Sequence, residues 1–235
     1  MQPEKTHADD YFASGREPKY FDVIGSLFVA VYLISQVSSA KLIALGPFTF
    51  PGAIIIFPIS YIFGDILTEV YGYARTRRII WVGFIAAVLM SLVFLAVQYL
   101  PPAADWPLQQ AYESILGFVP RVVIGSIAAY WAGEFANSYI LAKMKLWTKG
   151  RLLWSRTIGS TVVGQAVDSV VFATIAFAGV VPSKIVFTIM GSIYLFKVLY
   201  EVLATPLTYA IVNFLKRAEG IDAYDYQTDF SPFRF

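Results

Sequence analysis

The sequence has no cysteine and only one histidine, and each scarcity excludes a kind of chemistry. Without cysteine, the 235-residue chain can form no disulfide, no thiolate metal site and no cysteine nucleophile. The single histidine, His7, lies in a polar N-terminal stretch, which argues against a histidine zinc site or proton relay. We therefore expect neither a metal site nor a cofactor in this protein.

Charged residues are also scarce, at 14% of the chain, whereas a soluble globular domain has about 25%. Hydrophobic residues reach 57%, and the mean hydropathy is +0.62. The net charge of +2 is too small to indicate a nucleic-acid partner. This composition predicts an integral membrane protein, whose main environment is the lipid bilayer.

Six segments contain the roughly 20 mostly apolar residues that a membrane-crossing helix needs. They cover approximately 21–43, 52–71, 79–100, 115–142, 157–179 and 185–215. The sequence therefore predicts an all-α integral membrane protein with six transmembrane helices in one domain, residues 21–215. Residues 1–20 are polar and lack the apolar core of a cleavable signal peptide, so we expect a retained N-terminal tail. Residues 216–235 are expected to form a C-terminal tail.

Lysine and arginine alternate between the predicted loops, and this alternation predicts the orientation. Basic residues follow the second, fourth and sixth spans, whereas the intervening loops carry almost none. The basic residues concerned are Arg75, Arg77, Arg78, Lys143, Lys145, Lys149, Arg151, Arg156, Lys216 and Arg217. Both termini are then expected in the cytoplasm.

Polar side chains recur inside the predicted spans, although each charge at a helix centre costs about 2.5–3.5 kcal/mol on insertion scales. Except for Arg121, they fall in pairs on shared helix faces, three or four residues apart. They are Asp65 and Glu69, Arg121, Glu134 and Asn137, Gln165 and Asp168, and Lys197 and Glu201. We expect these groups to converge on one polar cavity near the bilayer midplane. Five acids face two bases there, so the cavity suits protons, a cation or a hydrogen-bond donor.

Several of these residues have simpler explanations. Arg121 lies near a span end and could extend to the lipid headgroups. Glu69, near the inner interface, could pair with a neighbouring lysine. Lys197 and Glu201 could form an ion pair within one helix. Where Lys197 faces inward, however, we expect it to pair with a buried acid, because an unpaired lysine there would cost too much.

Other features of the spans point to the same region. Tyr61, Phe63, Tyr130 and Tyr194 are aromatic residues deep in the spans, where they could stack on a flat heteroaromatic ligand. Small residues recur every four positions over 125–137 and again at 160–164, which allows a close helix contact and would permit a homodimer. Pro58 and Pro206 lie inside predicted spans, where they could break the helix.

Three stretches together carry a family resemblance: FPISYIFGDILTEVYGYARTRR, NSYILAKMKLWTKGRLLWSRTIGSTVVGQAVDS and FKVLYEVLATPLTY. They resemble the queuosine precursor transporter family, also called the VUT family of vitamin uptake proteins, over about 21–215. The resemblance implies uptake across the bacterial inner membrane of 7-deazaguanine bases, such as preQ0, preQ1 or queuine, for tRNA modification. The family pattern includes Asp65, Glu69, Asn137, Gln165, Asp168, Lys197 and Glu201, so it implies that these residues bind substrate.

The chemistry of such a base agrees with these residue types. A guanine-like edge has two neighbouring donors, which one carboxylate can accept together, and a carbonyl that needs a donor such as an amide or lysine. An aminomethyl group would add a cation and suit the surplus of acids. If transport is coupled to protons, Glu69 and Glu134 are the candidate carriers, since both are expected toward the cytoplasm.

Two other functions fit parts of the sequence. Six spans and this length also suit the substrate-binding subunit of an energy-coupling-factor importer, in which a partner would hydrolyse ATP because this chain has no Walker A motif. An intramembrane enzyme could use two buried acids as a dyad. The Gly-x-Gly-Asp signature of such proteases is absent, however, because position 62 is isoleucine. A transporter rather than an enzyme is therefore expected.

Overall fold

The computed structural model describes residues 18–38, 41–45, 48–117, 120–179, 182–225 and 228–231. These ranges contain seven α-helices and one two-stranded hairpin. The helices are α1 (Phe21–Ser38), α2 (Phe57–Tyr71), α3 (Tyr73–Gln98), α4 (Gln109–Leu116), α5 (Pro120–Trp147), α6 (Leu153–Phe177) and α7 (Ser183–Glu219). The antiparallel hairpin pairs β1 (Leu42–Leu45) with β2 (Phe48–Pro51), and a 3₁₀ turn (Gly52–Ile55) leads into α2.

Four of the described helices are long and apolar enough to cross a membrane: α1, α3, α6 and α7. The α3 helix carries an exposed apolar face, with Val82, Ile85, Leu89 and Leu92 each more than half exposed. Such a face suits contact with lipid. At 15 residues, α2 is only about 22 Å long, which is short for the hydrocarbon core. The predicted helical membrane protein is confirmed at the level of these four candidate spans.

The first predicted span, 21–43, was too long. Helix α1 ends at Ser38, and Leu42–Leu45 form a strand that pairs with Phe48–Pro51. The predicted all-α class is therefore corrected to a helical protein with one β-hairpin. The Gly52 N–H closes the hairpin onto the carbonyl of Lys41 at 2.6 Å. A short apolar run does not distinguish a strand from a helix by its pattern, and the hairpin satisfies the backbone here by cross-strand pairing.

The second and third spans also differ from prediction. Helix α2 begins at Phe57 rather than at 52, and Pro58 occupies its first turn, where proline is favoured because its missing N–H needs no partner. Pro58 therefore starts the helix and does not break it. The predicted loop 72–78 is wrong, because Gly72 alone separates α2 from α3 and the three arginines belong to α3. Gly72 has φ of +89°, which only glycine adopts easily.

The later spans shift less. The predicted span 115–142 is divided between the end of α4 and α5, and α5 continues to Trp147. Helix α6 begins four residues before the predicted start at 157. Helix α7 runs unbroken through Pro206 for 37 residues, about 55 Å, which is longer than the hydrocarbon core of a bilayer.

Helices α5 and α6 approach closely through glycines, as the small-residue pattern predicted. A Cβ on Gly133 would lie 3.0 Å from the carbonyl oxygen of Gly164, and a Cβ on Gly164 would lie 3.0 Å from that of Gly133. Both distances are shorter than ordinary carbon–oxygen contact. This stripe is therefore used within the chain, where it holds the polar residues of α5 and α6 against one another.

Residues 220–225 and 228–231, here called the C-terminal strap, return over the ends of the helices. The Ala223 N–H donates to the Val70 carbonyl at 3.2 Å, and the Tyr73 N–H donates to Asp225 at 3.1 Å. Farther along, the Arg77 guanidinium donates to the Asp229 carbonyl at 2.7 Å. The region expected to be a tail thus begins as the end of α7 and continues, where described, as a packed segment.

Candidate functional site

Seven polar residues predicted for the site come together in the interior, and we call them the polar cluster. They come from four helices: Asp65 from α2, Glu134 and Asn137 from α5, Gln165 and Asp168 from α6, and Lys197 and Glu201 from α7. None is more than 7% exposed. Spacings of three and four residues place each pair on the inward face of its own helix.

One half of the cluster is built around Asp65. The Asn137 side-chain amide donates a hydrogen bond to Asp65 Oδ1 at 2.7 Å, joining α5 to α2. The carboxyl groups of Asp65 and Glu201 lie within reach of each other, which brings α7 to the same point. Two acids and an amide from three helices therefore meet in one place.

The other half of the cluster is an ion pair. The Lys197 ammonium binds Asp168 Oδ2, joining α7 to α6, and lies 4.0 Å from the centre of the Phe57 ring. The expectation that Lys197 pairs with a buried acid is confirmed. Among the described ion pairs, Lys197 contacts Asp168 and not Glu201, so the intrahelical alternative is not found.

Most polar atoms of the cluster that lack a protein partner are acceptors. Within the described residues, seven buried oxygens have no hydrogen-bond partner of normal geometry. They are Asp65 Oδ2, both carboxyl oxygens of Glu134, Asn137 Oδ1, Gln165 Oε1 and both carboxyl oxygens of Glu201. Because a buried acceptor without a donor is costly, this arrangement favours a solute that presents several donors.

Aromatic rings cover one side of the cluster. Tyr61 and Tyr130 are fully buried, and Tyr130 stacks on Tyr32 of α1 with ring centres 3.9 Å apart. Tyr32 was not predicted for the site, although Gly25, Phe28, Tyr32 and Ser35 are spaced as one buried face of α1. The other two aromatic candidates, Phe63 and Tyr194, are only half-buried.

Two glycines leave the space that these side chains occupy. The carboxyl group of Glu134 lies directly over Gly64, at the position where a Cβ would project. A Cβ on Gly133 would lie 2.6 Å from the Tyr61 hydroxyl and 2.7 Å from Asp168 Cβ. The cluster therefore depends on a missing side chain in α2 and another in α5.

Glu69 does not join the polar cluster. Its Oε1 atom binds Lys216 at 2.5 Å and Arg156 at 2.6 Å and lies 3.6 Å from Lys145. Lys145 and Lys216 also bind Asp222 of the strap, at 2.7 and 2.9 Å. We call these five residues the ionic cluster. These contacts agree with the simpler explanation from the sequence, in which Glu69 pairs with a neighbouring lysine.

The sequence did not identify which basic residues would pair with Glu69, because basic residues beside spans are usually topology signals. Burial distinguishes them, since Lys145 and Arg156 are each 1% exposed. Burial alone would raise the pKa of Asp222, but Lys145 and Lys216 outweigh it and hold that pKa below its usual range. The side chain of Arg121 lies outside the described part of the chain. Within the described residues, no group of three potential ligands is placed to hold a metal ion.

The chain is similar to a known protein family and to several named proteins. Residues 51–211 match the family model described as "Putative vitamin uptake transporter", and this range contains the whole polar cluster. A Bacillus subtilis protein named "Probable queuosine precursor transporter" is 33% identical over 156 residues, covering 66% of this chain and 68% of that protein. The Escherichia coli "Queuosine precursor transporter" is 27% identical over 121 residues, or 52% of each chain.

A third relative, a "Probable queuosine precursor transporter" from Haemophilus influenzae, is 28% identical over 127 residues. That match covers 52% of this chain and 49% of the relative, so the similarity spans about half of the second and third relatives. No solved structure gives a significant match to the chain.

Proposed function

This chain belongs to the vitamin uptake transporter family whose model it matches, and from that premise we propose that it imports queuosine precursors of the 7-deazaguanine class. The family and the apolar helices make it a membrane transport protein, and its named relatives are bacterial. The relatives named as queuosine precursor transporters support the substrate class. One observation in the structure carries the proposal: a buried cluster rich in unpaired acceptors, beside stacked aromatic rings.

A 7-deazaguanine base presents the complementary groups. Its N1–H and exocyclic amine are adjacent donors, which a carboxylate accepts in a bidentate manner. We assign this edge to Asp65 and Glu201, whose carboxyl groups face each other beside Asn137. The carbonyl of the base needs a donor, which Gln165 or Lys197 supplies. The rings of Tyr61 and Tyr130 meet edge to face with centres 6.0 Å apart, so one of them, rather than both, stacks on the base.

The proposed transport path follows from the topology. Six segments cross the bacterial inner membrane as a multi-pass domain with both termini in the cytoplasm, and the short α2 reaches full depth with its preceding 3₁₀ turn. The polar cluster then lies near the midplane, where transporters commonly bind their substrates. Alternating access exposes this cluster first outside and then inside. The ionic cluster and the strap lie on the proposed cytoplasmic side, where they close the inner end.

Uptake of a labelled base tests this function directly. Cells that cannot make queuosine precursors are given labelled 7-deazaguanine bases, with this chain expressed or with an empty vector. We expect uptake only with the chain, and Asp65→Asn should reduce it about ten- to hundredfold, the scale of one charge-assisted hydrogen bond. The matched control is Glu113→Gln, the same kind of change at an exposed residue of α4. Equal uptake with and without the chain would contradict the proposal.

Proton coupling and a homodimer are two further features of the proposal. Proton coupling through Glu69 or Glu134 stays a prediction. A homodimer also stays a prediction, although the glycine stripe that would permit it is used between α5 and α6. Light scattering of the purified protein in detergent, corrected for bound detergent, would distinguish the mass of one chain from that of two.

A further inference from the structure

The charges inside the polar cluster do not balance. Four acids, Asp65, Glu134, Asp168 and Glu201, are buried there with one base, Lys197. Lys197 binds Asp168, which leaves three acids with no basic partner among the described ion pairs. Buried charge of one sign is costly unless it is neutralised or paired. The cluster therefore has capacity for positive charge that its own side chains do not supply.

Glu134 differs from the other two acids in its surroundings. Asp65 receives a hydrogen bond from Asn137, and Glu201 has Asp65 beside it. Glu134 is 0% exposed, and neither of its oxygens has a hydrogen-bond partner of normal geometry, with Ser138 as the neighbouring hydroxyl. Its carboxyl group fills the space that the missing side chain of Gly64 leaves open. The fold thus makes room for this carboxylate without giving it a basic partner among the described ion pairs.

Tyrosine hydroxyls lie around the same acid. Tyr130 is four residues before Glu134 and therefore on the same face of α5. The hydroxyls of Tyr61 and Tyr130 are both near enough to Glu134 to interact with it electrostatically. Neither has a hydrogen-bond partner of normal geometry among the described residues, with Asp168 beside the first and Ser60 beside the second. An ammonium group has three donors and no acceptor, so one carboxylate and two hydroxyl oxygens match it. An aromatic ring face nearby adds favourable interaction with a cation.

We propose that Glu134 binds a primary ammonium group on the side arm of the substrate. This inference rests on the proposed function and narrows it: the preferred substrate is a flat bicyclic base with a cationic aminomethyl arm. A base with a nitrile arm brings a further acceptor to a site already rich in acceptors. The neutral arm is therefore bound more weakly than the cationic one.

Three probes that differ only in the side arm test this assignment. They are 7-aminomethyl-, 7-hydroxymethyl- and 7-cyano-7-deazaguanine, and their affinities are measured on the purified protein in detergent by calorimetry. The hydroxymethyl compound is the matched neutral control, because it has nearly the size of the aminomethyl compound without its charge. We expect the aminomethyl base to bind the unmodified chain about ten- to hundredfold more tightly than either neutral base.

The Glu134→Gln variant tests the residue itself. It should lose about ten- to hundredfold in affinity for the aminomethyl base and change little for the two neutral bases. Glu113→Gln should change none of the three. An equal loss for all three bases would overturn the assignment, because Glu134 would then support the fold or carry a coupling proton.

The outcomes for the unmodified chain separate this inference from the proposed function. If the three bases bind with equal affinity, the proposed function stands and the role of Glu134 is refuted, even where Glu134→Gln fails to fold. If none of the three bases binds or is taken up, the proposed substrate class itself fails. A preference for the aminomethyl base that Glu134→Gln retains would place the ammonium group at another acid.

Discussion

Lys197 and Asp168 form an ion pair between α7 and α6, with both side chains less than a tenth exposed. The pair joins the last helix to the rest of the polar cluster, and the lysine ammonium lies 4.0 Å from the centre of the Phe57 ring. In the sequence, Lys197 could equally have paired with Glu201, one turn along its own helix. The choice of Asp168 leaves Glu201 available beside Asp65.

Breaking the Lys197–Asp168 pair from one side should destabilise the protein. Lys197→Met leaves Asp168 buried without its partner, and such a loss costs about 3–5 kcal/mol. Asp168→Asn should cost a similar amount by leaving the lysine unpaired. Thermal unfolding in detergent measures both. The double variant Lys197→Met with Asp168→Leu should recover much of the lost stability, because it removes both charges.

Binding separates the stabilising role of this pair from its proposed role at the substrate. The double variant should still bind a 7-deazaguanine base weakly, since the residues proposed to contact the base include Lys197. Full affinity in a stable double variant would show that the pair only supports the fold. A double variant no more stable than the single variants would show that the charges are not the main contribution.

The glycine contact between α5 and α6 should tolerate no added side chain. In Gly164→Ala the new Cβ would lie 2.7 Å from Asn137 Cβ, so the two helices must separate. Overpacking of this kind costs about 1–3 kcal/mol. Gly191→Ala in α7 is the matched control, because a Cβ there meets nothing within 4 Å. We expect Gly164→Ala to lower the unfolding temperature and Gly191→Ala to keep or raise it, since alanine favours a helix.

Separation of α5 and α6 should also weaken the substrate site. A Cβ on Gly164 would meet the Cα and Cβ of Asn137, whose amide donates to Asp65, so a shift of α5 disturbs that hydrogen bond. Loss of base binding in Gly164→Ala at a temperature where the variant is folded would agree with this coupling. Unchanged unfolding temperature and affinity would argue against the close contact.

The strap should loosen at low pH through Asp222. Its pKa is held below the ordinary value near 3.9 by Lys145 and Lys216, so its contribution to stability is present above that value. The contribution is lost as the pH falls below about 4 and through the lowered pKa. The protection factors of amide exchange in 220–225, each taken relative to the intrinsic exchange rate at the same pH, should therefore be high at neutral pH and lower near pH 3. Asp222→Asn should have low protection factors at both pH values, and protection equal to that of the unmodified chain at neutral pH would contradict the assignment.

Proton coupling makes a prediction for the unmodified chain. Glu69→Gln is a poor probe, because three cations of the ionic cluster would lose their shared carboxylate and the protein should be destabilised. In vesicles whose external medium is more acidic than their interior, we expect the labelled base to accumulate inside above its external concentration. A protonophore should abolish this accumulation while exchange of labelled for unlabelled base continues. Equal accumulation with the protonophore would indicate another energy source, such as an ATP-hydrolysing partner.

Composition and residue spacing were sufficient to predict much of this protein. The rarity of charge predicted a membrane protein, and the cost of burying Asp65, Asn137, Gln165, Asp168 and Lys197 predicted that they would face one another. These arguments depend on the free energy needed to place each side chain in hydrocarbon, and that free energy follows from the residue type alone. Small residues on one face also predicted that another helix could approach closely, and the structure shows that the approach is between α5 and α6.

Partner choice could not be read from the sequence, because it depends on which helices become neighbours. Glu69 and Asp65 lie on one face of α2, yet Glu69 meets three cations while Asp65 meets Asn137 and Glu201. The pattern of the apolar run after Ser38 is compatible with a helix, and only the cross-strand pairing in the folded structure makes it a hairpin. The tertiary structure alone decided that the strap would bring Asp222 to Lys145, because a contact 77 residues apart leaves no local pattern.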